Sequence, residues 1–540
     1  MRSSYNIAMS AAAFPSVISV EEHRVVVGER DALRRETHAL NERLAALQHQ
    51  LDWLKRQLFG NKSERRLLEV PAAQMSLGES WVASDGGPPP TLHPVAAHTR
   101  QPACATPSEE DGDTRLFFDD ERVPVEVIHL PNPETAGLTE GEYEVIGEKV
   151  THRLAQRPGS YVVLKYVRPV IKLRADETLH CPPAPAGVFE NSRADVSFIA
   201  GLVIDKFAYH LPLYRQHQRL KDAGIEVGRP WLTSLVHGAG ALLEPVYEAQ
   251  LESIRQSRVK AMDETPIKAG TQGKGKMKTG YFWPVYGEGD EIVFPFFPTR
   301  SGRAVREAIG QGPTESGAVL LSDGYEVYAR YAEKTGITHA QCWAHTRRKL
   351  VQAEAAEPEA VAQALDYIGE LYAVEERIRE QKLSGEAKRL YRVEHAKPVV
   401  EIFFAWAEQQ FTAQGLLPSN PLTTALGYAL ERRLGLEVYL TDPEVPIDTN
   451  HLERALRAIP MGRKAWLFCW TEVGAKYVGI FQSLLVTCRL HGINPYDYLV
   501  DVLQRIDRHP AKEVHLLTPR LWKQNFAANP LRSPLHTLRE

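Results

Sequence analysis

The chain has 540 residues, 43% of them hydrophobic and 24% charged, with a formal net charge of −4. That length exceeds one compact core, so several domains are expected. No apolar run is long enough to span a bilayer, and the broken apolar stretch of the first residues makes no secretory signal, so a cytoplasmic protein is expected. The charge neither announces nor excludes nucleic acid, because DNA binding needs local basic surface rather than a basic total. Five cysteines stand singly, without a CxxC pair, which argues against a disulfide framework or a closed zinc site.

Residues 22–66 open with the clearest periodicity. Val26, Leu33, Leu40, Leu47 and Leu54 recur every seventh residue, and Thr37, Leu44, Leu51 and Leu58 fill the second core position. A sustained 3.5-residue period reads as a coiled coil for self-association, with an amphipathic helix packed on its own domain as the alternative. Residues 67–120 mix Pro, Gly and acids without a period, as a flexible linker does.

From 121 to 190, alternation in RVPVEVIHL, YEVIGEKVTHRLAQ and SYVVLKYVRPVIKL predicts a small β-module. Its basic residues (Arg153, Arg157, Lys165, Arg168, Lys172 and Arg174) fit a solvated sheet face better than a phosphate track. Residues 191–255 read as a helical block, with one helix ending near Gly224 and another starting after Gly228. This is the outline of a helix-turn-helix, and equally of ordinary helical packing.

Residues 256–348 are strand-rich. A short strand runs into Asp263, followed by Lys268 and a Gly/Lys loop, TQGKGKMKTG. YFWPVYG and EIVFPFFPTR give two further β segments, and a buried-type strand ends at Ser322-Asp323 before a helix. ITHAQ is another strand that turns helical near His345, so a mixed α/β sheet is expected. Two carboxylates at strand ends suit a hard cation such as Mg2+, although Asp323 could equally cap the next helix.

Residues 349–445 are helical in pattern, an all-α insertion. Residues 446–490 then begin with a helix capped by Asp448 or Thr449, striped by Leu452, Ala455, Leu456 and Ile459. Glu453 sits beside that stripe, a third acid for the site or the partner of Arg457 in a surface i,i+4 pair. Residues 491–540 form a helical tail. Trp343 and Trp466 suit core packing, or stacking on unpaired bases.

The runs LDWLKRQLFGNKSERR, KFAYHLPLYRQ, MDETPIK, LLSDGYEVY, CWAHTRRKL, IDTNHLERALR, MGRKAWLF and LHGINPYDYL occur in this order. Together they resemble the transposases of the insertion-sequence-66 family, of the DDE class, over about residues 40 to 525. The resemblance implies a multidomain α/β protein whose ribonuclease-H-like mixed sheet core is interrupted by the all-α insertion. It also implies an acidic triad, Asp263, Asp323 and Glu453, binding two divalent ions, Mg2+ or Mn2+, when DNA is present. A bacterial, nucleoid-associated enzyme would then cleave terminal inverted repeats and join them to target DNA; the alternatives are an inactive DNA-binding relic and a nuclease of the same fold without strand transfer. Lys268, Arg347, Arg348, Lys349, Arg454, Arg457, Arg463 and Lys464 are the expected DNA contacts. Homo-oligomers and small accessory proteins of the same element are expected partners. The zinc-ribbon-like module of family members is replaced here by strands with Cys181 alone, so no structural zinc is expected.

Overall fold

The computed structural model describes residues 116–537, except 122, 137, 140–141, 158, 175–176, 191, 274–275, 311–316 and 413–416, together with isolated positions between 27 and 37. Apart from those isolated positions the expected coiled coil lies outside the described residues, as does the linker up to residue 115. Residues 116–413 and 417–540 form one compact unit of mixed α/β structure. Among the described residues no helix is long and apolar enough to cross a membrane.

The unit begins with a β-module. Strands β1 (Val125–His129), β2 (Tyr143–Arg157), β3 (Ser160–Leu173) and β4 (Leu179–His180) form one sheet. The long β2–β3 hairpin is antiparallel, and β1 runs parallel to β3. Its basic residues depart from expectation. Arg153 is buried and donates to the carbonyls of Pro185 and Ala186, while Arg168 donates to the Pro182 carbonyl and the Thr151 hydroxyl. Leu154, Ala155 and Gln156 are buried beside Arg153 without alternation, because this end of β2 is covered on both faces.

Helices α1 (Val196–Phe207), α2 (Leu213–Asp222) and α3 (Arg229–Gln256) follow. Asp195 caps α1 by accepting from the Ser197 N–H at 2.9 Å, and it also accepts from the Ser533 hydroxyl near the chain's far end. The α2–α3 turn contains Gly224 at φ +85°, a conformation that glycine adopts without Cβ strain.

The central sheet contains β5 (Val259–Met262), β8 (Val285–Gly287), β9 (Glu291–Val293), β11 (Val319–Ser322) and β12 (Thr338–Gln341). Its order is β12-β11-β5-β8-β9, with β5, β11 and β12 parallel and the other neighbours antiparallel. A second sheet joins β6 (Thr265–Gly273), β7 (Lys276–Phe282) and β10 (Phe296–Phe297). The expected Gly/Lys loop is thus the tip of a β6–β7 hairpin, and Lys268 lies on a strand. Each of the two aromatic β segments is also shared between the sheets. Pro284 and Pro295 fall at the crossings, where a residue without an N–H breaks the ladder.

Helix α4 (Gly302–Ile309) precedes β11, and α5 (Glu326–Thr335) lies between β11 and β12. After β12 come α6 (Trp343–Ala353) and the helices that make up the insertion: α7 (Pro358–Glu380), α8 (Gly385–His395), α9 (Lys397–Thr412), α10 (Pro421–Leu430) and α11 (Arg433–Thr441). Trp343 is fully buried, and its indole N–H donates to the Leu436 carbonyl at 2.9 Å, tying α6 to α11. The next helical run is broken into α12 (Asn450–Leu456) and α13 (Ala458–Trp466). Pro460 supplies the reason, because its ring conflicts with the carbonyl one turn back.

Helix α14 (Glu472–Leu490) packs against α3 and β9. A Cβ at Gly479 would lie 2.2 Å from the Phe294 carbonyl oxygen, so glycine alone permits this approach. Buried Gln250 of α3 donates to the Ile292 carbonyl at 2.8 Å and to the Thr487 hydroxyl at 2.9 Å, joining all three elements.

Candidate active site

The site is built at one end of the parallel strands. The last pair between β5 and β11 is Ala261 with Leu321, and two residues further along each chain stand Asp263 and Asp323. Parallel pairing of two neighbouring strands therefore delivers both acids to the same sheet edge. Each uses one carboxylate oxygen locally. Asp263 accepts from the Glu264 N–H at 2.7 Å, and Asp323 accepts from the Tyr325 N–H at 2.9 Å. Asp323 thus does secure the turn into α5, while its second oxygen has no such local duty.

Burial is the main cause that pushes the Asp263 carboxyl up to about 7. The Glu264 N–H opposes this, and the charges of Glu264, Asp323 and Glu453 add to it. Three further acids therefore repel charge at Asp263, and Glu453 is among them despite the helical insertion that separates it in sequence.

The Glu453 helix is held in place from its start. Trp343 N–H donates to the Ile447 carbonyl, Thr449 N–H reaches the Cys342 sulfur at 3.3 Å, and the Tyr372 hydroxyl donates to Asp448 at 2.8 Å. Asp448 in turn accepts from the Asn450 N–H at 2.9 Å. The alternative surface pair with Arg457 is not the contact made. Arg348 Nη2 instead donates to Glu453 at 3.0 Å, and His345 Nε2 lies 3.7 Å from the same carboxylate. The His345 pKa is lowered by burial first and by Arg348 next, against the pull of Asp323 and Glu453.

Two groups missed in the sequence complete the surroundings. Glu264 is almost buried, paired with Arg300, and accepts from the Tyr328 hydroxyl at 2.7 Å. Its position immediately after Asp263 was the available signal. His339 on β12 lies 2.8 Å from the Ser322 hydroxyl, and burial pulls it down to about 4, with Asp323 opposing.

The basic residues are distributed unevenly. Arg347 and Arg348 line an open pocket with Tyr372 and Asn450. Lys349 lies over the Tyr428 ring, Arg454 donates to the Asn450 carbonyl, and Arg463 donates to the carbonyl of Pro266. Lys268 donates to the Thr279 hydroxyl at 2.6 Å. Arg457 is exposed at the α12–α13 junction, and Lys464 is exposed in the last turn of α13. Trp466 folds over Gly462 rather than into solvent.

Among the described residues, no three His, Cys, Asp or Glu side chains are gathered closely enough to chelate a metal ion as they stand. The donor set nevertheless suits a hard divalent cation. It consists of carboxylate oxygens whose mutual repulsion is already visible at Asp263.

Residues 191–477 match the family model described as "Transposase IS66 family", and residues 483–519 match the "IS66 C-terminal element". Residues 46–116 match "Transposase C of IS166 homeodomain", a segment outside the described residues except for its last position. Two uncharacterized proteins of Sinorhizobium fredii are similar along almost their whole lengths. Protein y4hP is 29% identical over 514 residues, covering 90% of each chain. Protein y4jD is 29% identical over 521 residues, covering 91% of this chain and 98% of its own. With more than half of its length matched by the first of these models, the chain belongs to the IS66 transposase family.

Proposed function

We propose that the protein is a DNA transposase that cleaves strands at terminal inverted repeats and joins them to target DNA, using Asp263, Asp323 and Glu453. The observation that carries this reading is the delivery of Asp263 and Asp323 to one sheet edge by paired parallel strands, with the Glu453 charge felt at Asp263. The strand order β12-β11-β5-β8-β9, with a helical segment inserted before α12, supports a ribonuclease-H-like core over 256–348 and 446–490. Residues 349–445 are then the insertion, and 191–255 the block that meets DNA.

Asp263, Asp323 and Glu453 would hold Mg2+ or Mn2+, which when bound supplies a polarised nucleophile and charge stabilisation for in-line phosphoryl transfer. The chain's own contribution is positioning. The strand ends fix the two aspartates, and the contacts at Ile447, Asp448 and Thr449 fix the start of the Glu453 helix. Arg347, Lys349, Arg454 and Lys464 would meet phosphates and set the register of the strand. The heptad run of 22–66 would join two or more copies, and accessory proteins of the element would complete the assembly.

The test is cleavage and joining of an element-terminal duplex with added Mg2+ or Mn2+. Wild type is expected to yield joined products, and Asp263→Asn, Asp323→Asn and Glu453→Gln to yield none. Cleavage without joining marks a nuclease, and DNA binding without cleavage marks a relic. If the wild type and Asp263→Asn cleave alike, the site assignment is wrong.

A further inference from the structure

Between α13 and α14 a short strap, residues 467–471, takes no part in the proposed chemistry. Leu467 opens it at φ 61° and ψ −53°, and the Phe468 N–H reaches back to the Trp466 carbonyl at 2.7 Å. This is a γ-turn of the rare, strained hand, which a leucine adopts only where its surroundings impose it. The imposing contact is backbone pairing with β6. Cys469 N–H donates to the Lys268 carbonyl at 2.8 Å, and the Cys469 carbonyl accepts from the Gly270 N–H at 3.1 Å. The strap therefore runs parallel to β6 at this point and is joined to the hairpin sheet by the single bridge between Cys469 and Ala269.

Side chains alternate across a strand. Cys469 and its partner Ala269 are buried, so Phe468 and Trp470 take the outer face, as does exposed Lys268. Trp470 is 71% exposed and Leu467 64% exposed. Phe468 meets the Trp470 ring edge-on, with centroids 5.0 Å apart and planes at 88°, steadying the indole without covering it. A large indole held in place and left in water beside exposed Leu467 makes an apolar patch of the kind that meets a partner.

The partner's chemistry follows from the neighbours. Lys268 on β6 is the residue whose carbonyl the strap pairs with, Lys278 lies on the neighbouring β7, and Arg463 and Lys464 end the helix that leads into the strap. Lys278 pairs with Glu472 just beyond the strap at 3.3 Å, and Arg463 reaches the Pro266 carbonyl on β6. β6 itself starts two residues after Asp263. An aromatic face set among cations beside a phosphoryl-transfer site suits a nucleic-acid strand whose bases are unstacked. A protein partner would find the apolar surface but would not need the cations.

The geometry points to Trp470 as a stacking site for an unpaired nucleobase of the DNA strand held at the carboxylates, fixed by Phe468 and the Leu467 turn. The inference rests on the DNA-transposase reading and adds a residue to it. Of the tryptophans singled out in the sequence, Trp343 is buried and Trp466 is folded against Gly462, so neither can serve.

The test uses the full chain with a single-stranded oligothymidylate carrying one 2-aminopurine, and with the matching duplex. Anisotropy gives affinity, and quenching of the 2-aminopurine reports stacking. Wild type is expected to bind the single strand and quench it. Trp470→Ala should bind the single strand roughly 5- to 100-fold more weakly and lose the quenching, while its duplex affinity changes by less than about threefold. Trp470→Phe should keep most of both signals, which separates stacking from a folding defect. Wild-type affinity and quenching in Trp470→Ala overturn the inference while leaving the transposase reading intact. A fall in solution mass on Trp470→Ala also overturns it, marking a contact between copies. If the wild type binds neither DNA, both readings fail together.

Discussion

Arg348 Nη2 donates to both carboxylate oxygens of Glu453, at 3.0 and 3.1 Å, from a helix 105 residues earlier in the chain. The guanidinium thus occupies the oxygens that the proposed site needs. Its side chain is half in solvent, so the pair itself adds only about 0–1 kcal/mol to stability. Arg348→Gln should therefore shift thermal unfolding little. It should tighten Mn2+ binding to the DNA-free protein, read by calorimetry, because Glu453 is released. Unchanged or weaker Mn2+ binding would show that Arg348 orients Glu453 instead of competing for it.

Asp263 offers a pH signature. Its carboxyl stands at about 7 in the folded chain, against an ordinary value of 3.8. Between these values the folded state holds a proton that the unfolded state has lost. Stability therefore falls as pH rises from about 4 to 7 and levels off above, by an amount of order 1–4 kcal/mol. Asp263→Asn removes this dependence. In metal-free buffer it should unfold at a higher temperature than wild type at pH 8, with the gap closing near pH 4. Added Mn2+ should stabilise wild type at pH 8 and leave Asp263→Asn nearly unmoved. A gap independent of pH would refute the assignment of the proton to Asp263.

Much of this arrangement was legible locally. A buried-type strand running into an acid identifies both Asp263 and Asp323, because each pattern lies within a few residues. The β6–β7 hairpin was not legible. Its Gly and Lys content reads as loop, and part of its pairing comes from the strap at Cys469, some 200 residues away. The contact of Glu453 with Arg348 was not legible for the same reason: spacing offers only Arg457 one turn along, and the tertiary fold alone brings Arg348 to the carboxylate. Arg153 was misread because alternation predicts a face only where one side of the sheet is open. For Trp470, nothing in composition or spacing separates an exposed indole from a buried one.

Arg392 anchors the helical insertion. It is fully buried, forms a two-pronged pair with Glu375 at 2.7 and 2.9 Å, and donates to the carbonyls of Tyr439, Asp442 and Val445. These carbonyls belong to the chain segment returning from the insertion towards Glu453. Removing one partner leaves a buried charge or several unpaired acceptors, which costs roughly 3–5 kcal/mol. Arg392→Met and Glu375→Leu should each lower the urea midpoint strongly. The double variant should recover part of the loss, since no lone charge then remains. Additive losses would mean that the two groups do not act as a pair.

The basic residues separate into those engaged within the protein and those turned to solvent. Arg463 is drawn onto the Pro266 carbonyl and Arg348 onto Glu453, whereas Arg347 lines the open pocket beside Asn450, and Lys464 is exposed. Phosphate contacts release counterions, so each one lost should reduce the slope of log affinity against log salt by about 1. Arg347→Ala and Lys464→Ala should each show that reduction with duplex DNA, and should weaken all sequences alike. Lys397→Ala, on the insertion and paired with Glu401 at 3.8 Å, serves as the control and should leave the slope unchanged. Equal slopes for all four proteins would remove Arg347 and Lys464 from the DNA path and move it to another face of the unit.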